Sequence, residues 1–163
     1  METKVIISNT GPLIALATVD RLDVLRGLFE KIIIPEAVHL ELLEGGATQA
    51  GISSYQQATW IDVQPLTASL DPLLDKVLDT GEASVIQLAR EYQVPVLIDE
   101  RKGRKIAREI YQLQVVGTAR ILVEAKRHKL LDNVQEVLTQ MKNNGYRIHK
   151  TIVAYILKEA GEL

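Results

Sequence analysis

The chain has 163 residues, no cysteine, and 19 basic against 21 acidic side chains, for a formal net charge of −2. That composition excludes a disulfide scaffold and a thiolate zinc site. It also lacks the molecule-wide basic field of many nucleic-acid binders, so any phosphate backbone would have to meet a local patch.

Nothing in the sequence calls for a membrane. No apolar run approaches the roughly 20 residues that span a bilayer, and the opening METKVIIS lacks the long apolar stretch of a signal peptide. A reducing cytoplasm is the expected setting. One domain over residues 1–163 is expected, burying roughly 70% of the surface its unfolded form exposes. Hydrophobic residues reach 47% while aromatics are 4%, so the core must be built from Ile, Leu, Val and Ala.

Lys4–Ser8 is a β-branched run that predicts a strand. The Asn9-Thr10-Gly11-Pro12 cluster after it reads as a turn into a helix, with Pro12 in the first turn. Leu13, Ile14, Leu16 and Ala17, then Leu22, Val24, Leu25 and Leu28, keep helical spacing. Lys31–Ile34 predicts a second strand ended by Pro35, and Glu36–Leu43 a helix. Residues Glu44–Thr59 are small and polar, with Gly45-Gly46, and read as a loop or weak helix. Trp60–Val63 is a short strand. Asp71–Leu78 and Gly81–Tyr92 are helical, Val94–Ile98 is a buried-type strand, and Arg101–Gln112 is helical. Gln114–Val116 predicts a short strand and Thr118–His128 a helix. Val134–Met141 and Thr151–Glu159 complete the chain as two amphipathic helices.

Short apolar strands alternating with helices predict an α/β fold: a short parallel sheet with helices on both faces in three α/β/α layers. The helices of about 133–163 are expected to pack on the same domain. In such sheets ligands sit outside the carboxyl ends of the strands, where the strand order reverses.

Four polar residues attract notice by that rule. Asn9 follows the first strand directly, and Asp99 follows VPVLI. Glu41 lies three and four residues from Val38 and Ala37, and Glu82 shares the stripe of Val85, Ile86 and Ala89. Carboxylates on inward stripes are costly to bury without a cation, and three near one sheet edge would offer hard oxygen ligands to Mg²⁺ or Mn²⁺. Each also has an ordinary structural explanation. Asn9 and Asp99 could cap the helices that follow them, Glu82 could complete a capping box with Asp79, and Glu41 could reach out to solvent. Arg101, Arg104, Lys105 and Arg108 fall on one helix face opposite Gly103, Ala107 and Ile110. They form either a solvated face or a phosphate-binding stripe. His39, His128 and His149 have no paired spacing and read as surface residues. Neither a nucleophile elbow nor a phosphate-binding loop motif is present.

The segments VIISNTGPLIALA, IIIPEAVHLEL, LDTGEASVIQLA, VLIDERKGRKIA and VVGTARILVEAKRHKLL together resemble the PIN-like family, in a bacterial and archaeal branch of unknown function. The resemblance covers nearly the whole chain. It implies kinship with VapC-type toxins, which cleave RNA with acidic residues holding divalent metal. It implies site roles for Asn9, Glu41, Glu82 and Asp99, a rim of Thr10 and Thr118, Mg²⁺ or Mn²⁺ as cofactor, a small antitoxin protein as partner, and a homodimer. Two departures stand out. A typical PIN site opens with Asp where this chain has Asn9. Ala119-Arg120 replaces small residues with Gly, so that Arg120 would either clamp phosphate or obstruct the cleft.

The expected function is hydrolysis of single-stranded or loop RNA by metal-activated water, with the chain as toxin of a toxin–antitoxin pair. The rival expectation is a non-catalytic PIN-like module that binds RNA or protein. An acidic-pocket receiver domain is disfavoured, because Ser8-Asn9-Thr10 stands where paired acids would follow the first strand.

Overall fold

A computed structural model describes residues 4–44 and 49–163, with side-chain placement from residue 51 in the second segment. The Gly45-Gly46 loop reading lies outside the described residues. Strand β1 (Val5–Ser8) leads to α1 (Thr10–Ala17) and α2 (Asp23–Leu28), and β2 (Lys31–Pro35) to α3 (Glu36–Glu44) and α4 (Gln49–Gln57). Strand β3 (Ile61–Gln64) precedes α5 (Pro72–Val77) and α6 (Thr80–Tyr92), and β4 (Val96–Leu97) precedes α7 (Arg101–Glu109). Strand β5 (Val115–Val116) is followed by α8 (Thr118–Arg127), α9 (Val134–Asn143) and α10 (Lys150–Glu159).

The five strands form one parallel sheet in the order β3-β2-β1-β4-β5, with helices around it in the three-layer arrangement that the strand–helix alternation predicts. Ile7 of β1 stands opposite Ile33 on one side and Val96 on the other. Ile6, Ile7, Ile32, Ile33, Ile34, Val96 and Leu97 are all buried. A strand covered on both faces has no polar side to alternate with, which is why these segments read as continuous β-branched runs. Helix α6 is the most enclosed helix, with every residue from Gly81 to Ala89 buried. Among the described residues no helix is long and apolar enough to cross a membrane.

Several local expectations change. The weak stretch before β3 contains a helix, α4, which packs on α1 and α3 despite its small polar sequence. Pro35 ends β2 from inside it, paired with Gln64 of β3. Helix α7 stops at Glu109, so Ile110, expected on its inner face, is exposed.

The C-terminal helices are tied to the rest of the molecule by named bonds. The Glu162 carboxylate accepts from the backbone N–H groups of Val134 (2.7 Å) and Gln135 (2.9 Å), the first residues of α9, and pairs with Lys126 of α8 at 2.8 Å. Those N–H groups have no partner within their own helix, so a carboxylate there satisfies them and complements the helix dipole. Asn144 Nδ2 donates to the Thr18 carbonyl at 3.0 Å, joining the α9–α10 connection to the end of α1. Glu162→Ala removes three charge-assisted bonds at once and should cost about 1–3 kcal/mol. For a chain of this size that lowers the melting temperature by about 2–4 °C per kcal/mol. Unchanged melting of Glu162→Ala would show that the C-terminus does not anchor α9.

Candidate active site

The strand order places β1 at the centre with the crossovers running outward on either side, so the connections diverge at the carboxyl ends of β1 and β4. A crevice opens there in any sheet of this topology. Here it is a cleft of about 400 Å³ lined by residues from five parts of the chain. Asn9 and Thr10 come from the end of β1 and Glu41 from α3. Asp79 and Glu82 come from the start of α6, Asp99 and Glu100 from the end of β4, and Tyr146 and Arg147 from the α9–α10 connection.

Asn9 is held by its backbone, whose N–H donates to the Leu97 carbonyl at 2.9 Å and continues the β1–β4 ladder past the last strand residue. It stands at the N-cap position of α1, yet its side chain makes no capping bond, so the cap explanation fails for it. Only 8% of the residue is exposed, and it lines the cleft. Thr10 follows, and its hydroxyl donates to Glu41 Oε2 at 3.0 Å. Glu41 is more exposed than its place beside Val38 predicts, because the carboxylate extends over the first turn of α6. A β-carbon at Gly81 would come within 1.9 Å of Glu41 Oε1, so that turn must be glycine for the carboxylate to lie there.

Asp79 accepts from the Glu82 backbone N–H at 2.9 Å and caps α6. That is half of a capping box. The Glu82 side chain turns the other way, into the cleft, where it meets Glu100. The residue is 4% exposed. Burial first, then a hydrogen bond shared with Glu100 and the charges of Asp79, Glu100 and Glu41, pushes its carboxyl up to about 8. Burial also raises Glu41, with the Thr10 bond opposing and Asp79 adding to the rise.

Asp99 caps a helix, though a different one from the helix that follows it. Helix α7 receives no side-chain cap. Instead Asp99 Oδ1 accepts from the Thr118 N–H at 2.7 Å, at the N-terminus of α8, and Oδ2 accepts from the Thr118 hydroxyl and the Tyr146 phenol. A carboxylate at a helix N-terminus is favoured by the unpaired N–H groups there. Thr118 is therefore fully buried beneath Asp99 and does not stand at the rim.

The predicted basic face divides. Arg101, Lys105 and Arg108 are exposed along α7. Arg104 is half-buried and belongs to the scaffold: its Nη1 donates to the Ile98 carbonyl at 2.7 Å. It lies so close to Gly117 that a β-carbon there would come within 2.8 Å. Arg120 pairs with Glu124 one turn along α8 at 3.6 Å and is not among the residues lining the cleft, so it neither clamps nor blocks it. His39 bonds Tyr55 and His149 caps α10 through Thr151.

Sequence reasoning missed Glu100, Tyr146 and Arg147. Glu100 adjoins Asp99 and carries a visible signal, a second acid at the same strand end. Tyr146 lies 47 residues from its partner, and no spacing rule reaches that far.

The donor chemistry suits a hard divalent cation, since carboxylate oxygens of Asp99, Glu41, Glu82 and Glu100 share one cleft, and a cation there would favour the ionised form of Glu82 that burial first and neighbouring acids second disfavour. Among the described residues, however, no three acids or histidines are already gathered at ligand spacing.

A family model for the PIN domain matches residues 5–162. No curated protein matches the chain.

The crowding has a consequence for stability. Glu82 keeps its proton up to about pH 8 in the folded chain, against 4.5 for an ordinary glutamate. Between those values the folded state holds the additional proton, so stability falls as pH rises from about 4.5 to about 8, and levels off above. Glu82→Gln should abolish that slope. In chelator, its melting temperature should gain on the parent steadily from about pH 5 to pH 8.5, by about 2–4 °C per kcal/mol of relief. A pH-independent difference would show that Glu82 is not the group taking up the proton.

Proposed function

The chain belongs to the PIN-domain family, a nuclease-type fold, and from that premise we propose that it is a metal-dependent ribonuclease hydrolysing the phosphodiester backbone of single-stranded or looped RNA. The observation that carries this reading is the meeting of Glu41, Glu82, Asp99 and Glu100, with Asn9, in one cleft at the topological switch point. Burial raises Glu41 and Glu82 there, a cost that a shared cation would offset.

Glu41, Glu82 and Asp99 would hold Mg²⁺ or Mn²⁺, with the Asn9 amide oxygen as an uncharged fourth donor. The chemistry such an ion supplies is a water acidified into a nucleophile and neutralisation of charge on the phosphodiester. The residues prepare for it in distinct ways. Thr118 and Tyr146 fix Asp99. Thr10 and the bare Gly81 turn set the reach of Glu41. Glu82 must give up the proton it shares with Glu100 before it can act as a ligand, so cation binding should strengthen as pH rises toward about 8. Arg101, Lys105 and Arg108 begin two residues beyond Asp99 and offer exposed cations to neighbouring phosphates. The biological setting we attach to this reading is a cytoplasmic toxin with a small antitoxin partner, working as a homodimer. Family kinship alone supports it.

A second reading is a PIN-like module that binds RNA or a protein without cutting. Two observations favour it: position 9 is an amide, and no ready-made cage of three acids stands among the described residues.

Calorimetry with Mn²⁺ and incubation with mixed oligoribonucleotides separate the two. In the ribonuclease reading the parent binds Mn²⁺ and cleaves. Asp99→Asn should then lose about 100-fold or more in both, because removing a first ligand costs at least what removing its supports does. RNA binding without cleavage at any Mn²⁺ concentration would establish the second reading.

Asn9→Asp probes the same question from the other side. Asp and Asn cap helices about equally well, so a pure turn residue predicts no change in melting. At a cation site the added charge should lower the melting temperature in chelator, and Mn²⁺ should raise it by more than in the parent. Equal Mn²⁺-induced shifts in the two proteins would remove Asn9 from the site.

A further inference from the structure

We propose that Tyr146 is a positioning residue of this site: its phenol fixes Asp99, so the α9–α10 connection completes the cleft and does more than pack beside it. The proposal rests on the ribonuclease reading only for what Asp99 does once fixed.

The bond itself is direct. Tyr146 donates its O–H to Asp99 Oδ2, the oxygen that also receives the Thr118 hydroxyl, while Oδ1 takes the Thr118 N–H. Asp99 is thus gripped from two sides, by the start of α8 and by a segment that follows α9. Without the phenol, Thr118 alone holds the carboxylate, and Oδ2 loses one of its two donors.

The phenol has reason to stay. Its ring is partly buried against the core, and a hydroxyl shielded from water without a partner is costly. The segment carrying it is anchored by two bonds. Asn144 Nδ2 donates to the Thr18 carbonyl, and the Tyr146 N–H donates to the Met141 carbonyl at 2.9 Å. The hydroxyl lies over Gly11, 3.8 Å from where a β-carbon would stand, which is ordinary van der Waals contact. Tyr146 therefore stands above the first turn of α1, between Asn9's helix and Asp99, and forms a wall of the cleft.

Second-sphere partners of a metal-binding carboxylate set its orientation, and losing one typically weakens metal affinity or activity by roughly 10- to 100-fold. Tyr146→Phe keeps the ring and removes only the donor, so it isolates that role from packing. The expected result is Mn²⁺ affinity weaker by roughly 10- to 100-fold, a fall in kcat of similar size, and an unchanged KM for RNA, since the variant removes no substrate contact. Wild-type Mn²⁺ affinity and kcat in Tyr146→Phe would overturn the proposal and leave the residue a packing tyrosine.

A stability cycle keeps the test independent of catalysis. Tyr146→Phe, Asp99→Asn and the double variant are melted in chelator, where groups in contact give non-additive losses. If the parent neither binds Mn²⁺ nor cleaves RNA, the ribonuclease reading fails by itself. A coupled cycle then still upholds Tyr146 as the residue that orients Asp99, and additive losses overturn it.

Discussion

The cost of holding carboxylates close together out of water governs the architecture around the cleft. Glu82 is buried on a helix that is enclosed over nine residues, with Glu41, Asp79 and Glu100 around it. Ionising all of them in one place would be prohibitive, and the chain meets the difficulty in three ways. It keeps the proton on Glu82, shared with Glu100. It assigns Asp79 to the backbone N–H of α6, where negative charge is welcome. It gives Asp99 three donors, two of them from Thr118 at the start of a second helix. Each device leaves its carboxyl beside the cleft without requiring every charge to be present at once. An arrangement of this kind lets the acids stand together with fewer charges than carboxyl groups.

The strand order explains why the acids meet at all. β1 is central, β2 and β3 lie to one side, and β4 and β5 to the other. Chain segments leaving β1 and β4 diverge, and the gap between them exposes the residues that come next in sequence, Asn9 and Asp99. The short strands matter as well. β4 has two paired residues, and the ladder continues through Asn9 N–H to Leu97 and Ile98 N–H to Val116 without further regular strand. The backbone beyond is fixed by hydrogen bonds while its side chains are free to face the crevice. A longer strand would carry Asp99 past the cleft.

Where the causes are local, the sequence discloses them. The β-branched runs, the Pro12 turn, the stripe of Val85, Ile86 and Ala89 on α6, and an acid directly after VPVLI each depend on a few neighbouring residues, and the parallel sheet and three of the five carboxylates of the cleft follow from them. What escapes depends on distance. Tyr146 and Asp99 are brought together only by the packing of the last two helices. Arg104 shares a helical stripe with Arg101 and Arg108, and periodicity assigns all of them to one face. The Ile98 carbonyl, six residues back, draws Arg104 inward instead. Helix α4 has almost no amphipathic pattern of its own, and it forms against α1 and α3 because tertiary contact outweighs weak propensity. Capping was the right kind of explanation for Asp99, applied to the wrong helix, since the sequence shows α7 beside it and hides α8, whose first turn folds back beneath it.

The amide at position 9 follows from the same balance of charge. In a cleft where burial and neighbouring acids already push Glu41 and Glu82 up, a sixth carboxylate would face neighbours that cannot all ionise. Asn9 keeps the shape and the oxygen of aspartate without that charge. It loses electrostatic attraction for a cation and gains stability of the cation-free fold. Glu100, a second acid at the end of β4, bonds Glu82 and raises it further, so the acids beside β4 add to the crowding that an aspartate at position 9 would meet. The identity of the residue after the first strand is therefore tied to the charge carried at the end of the next strand across the switch point.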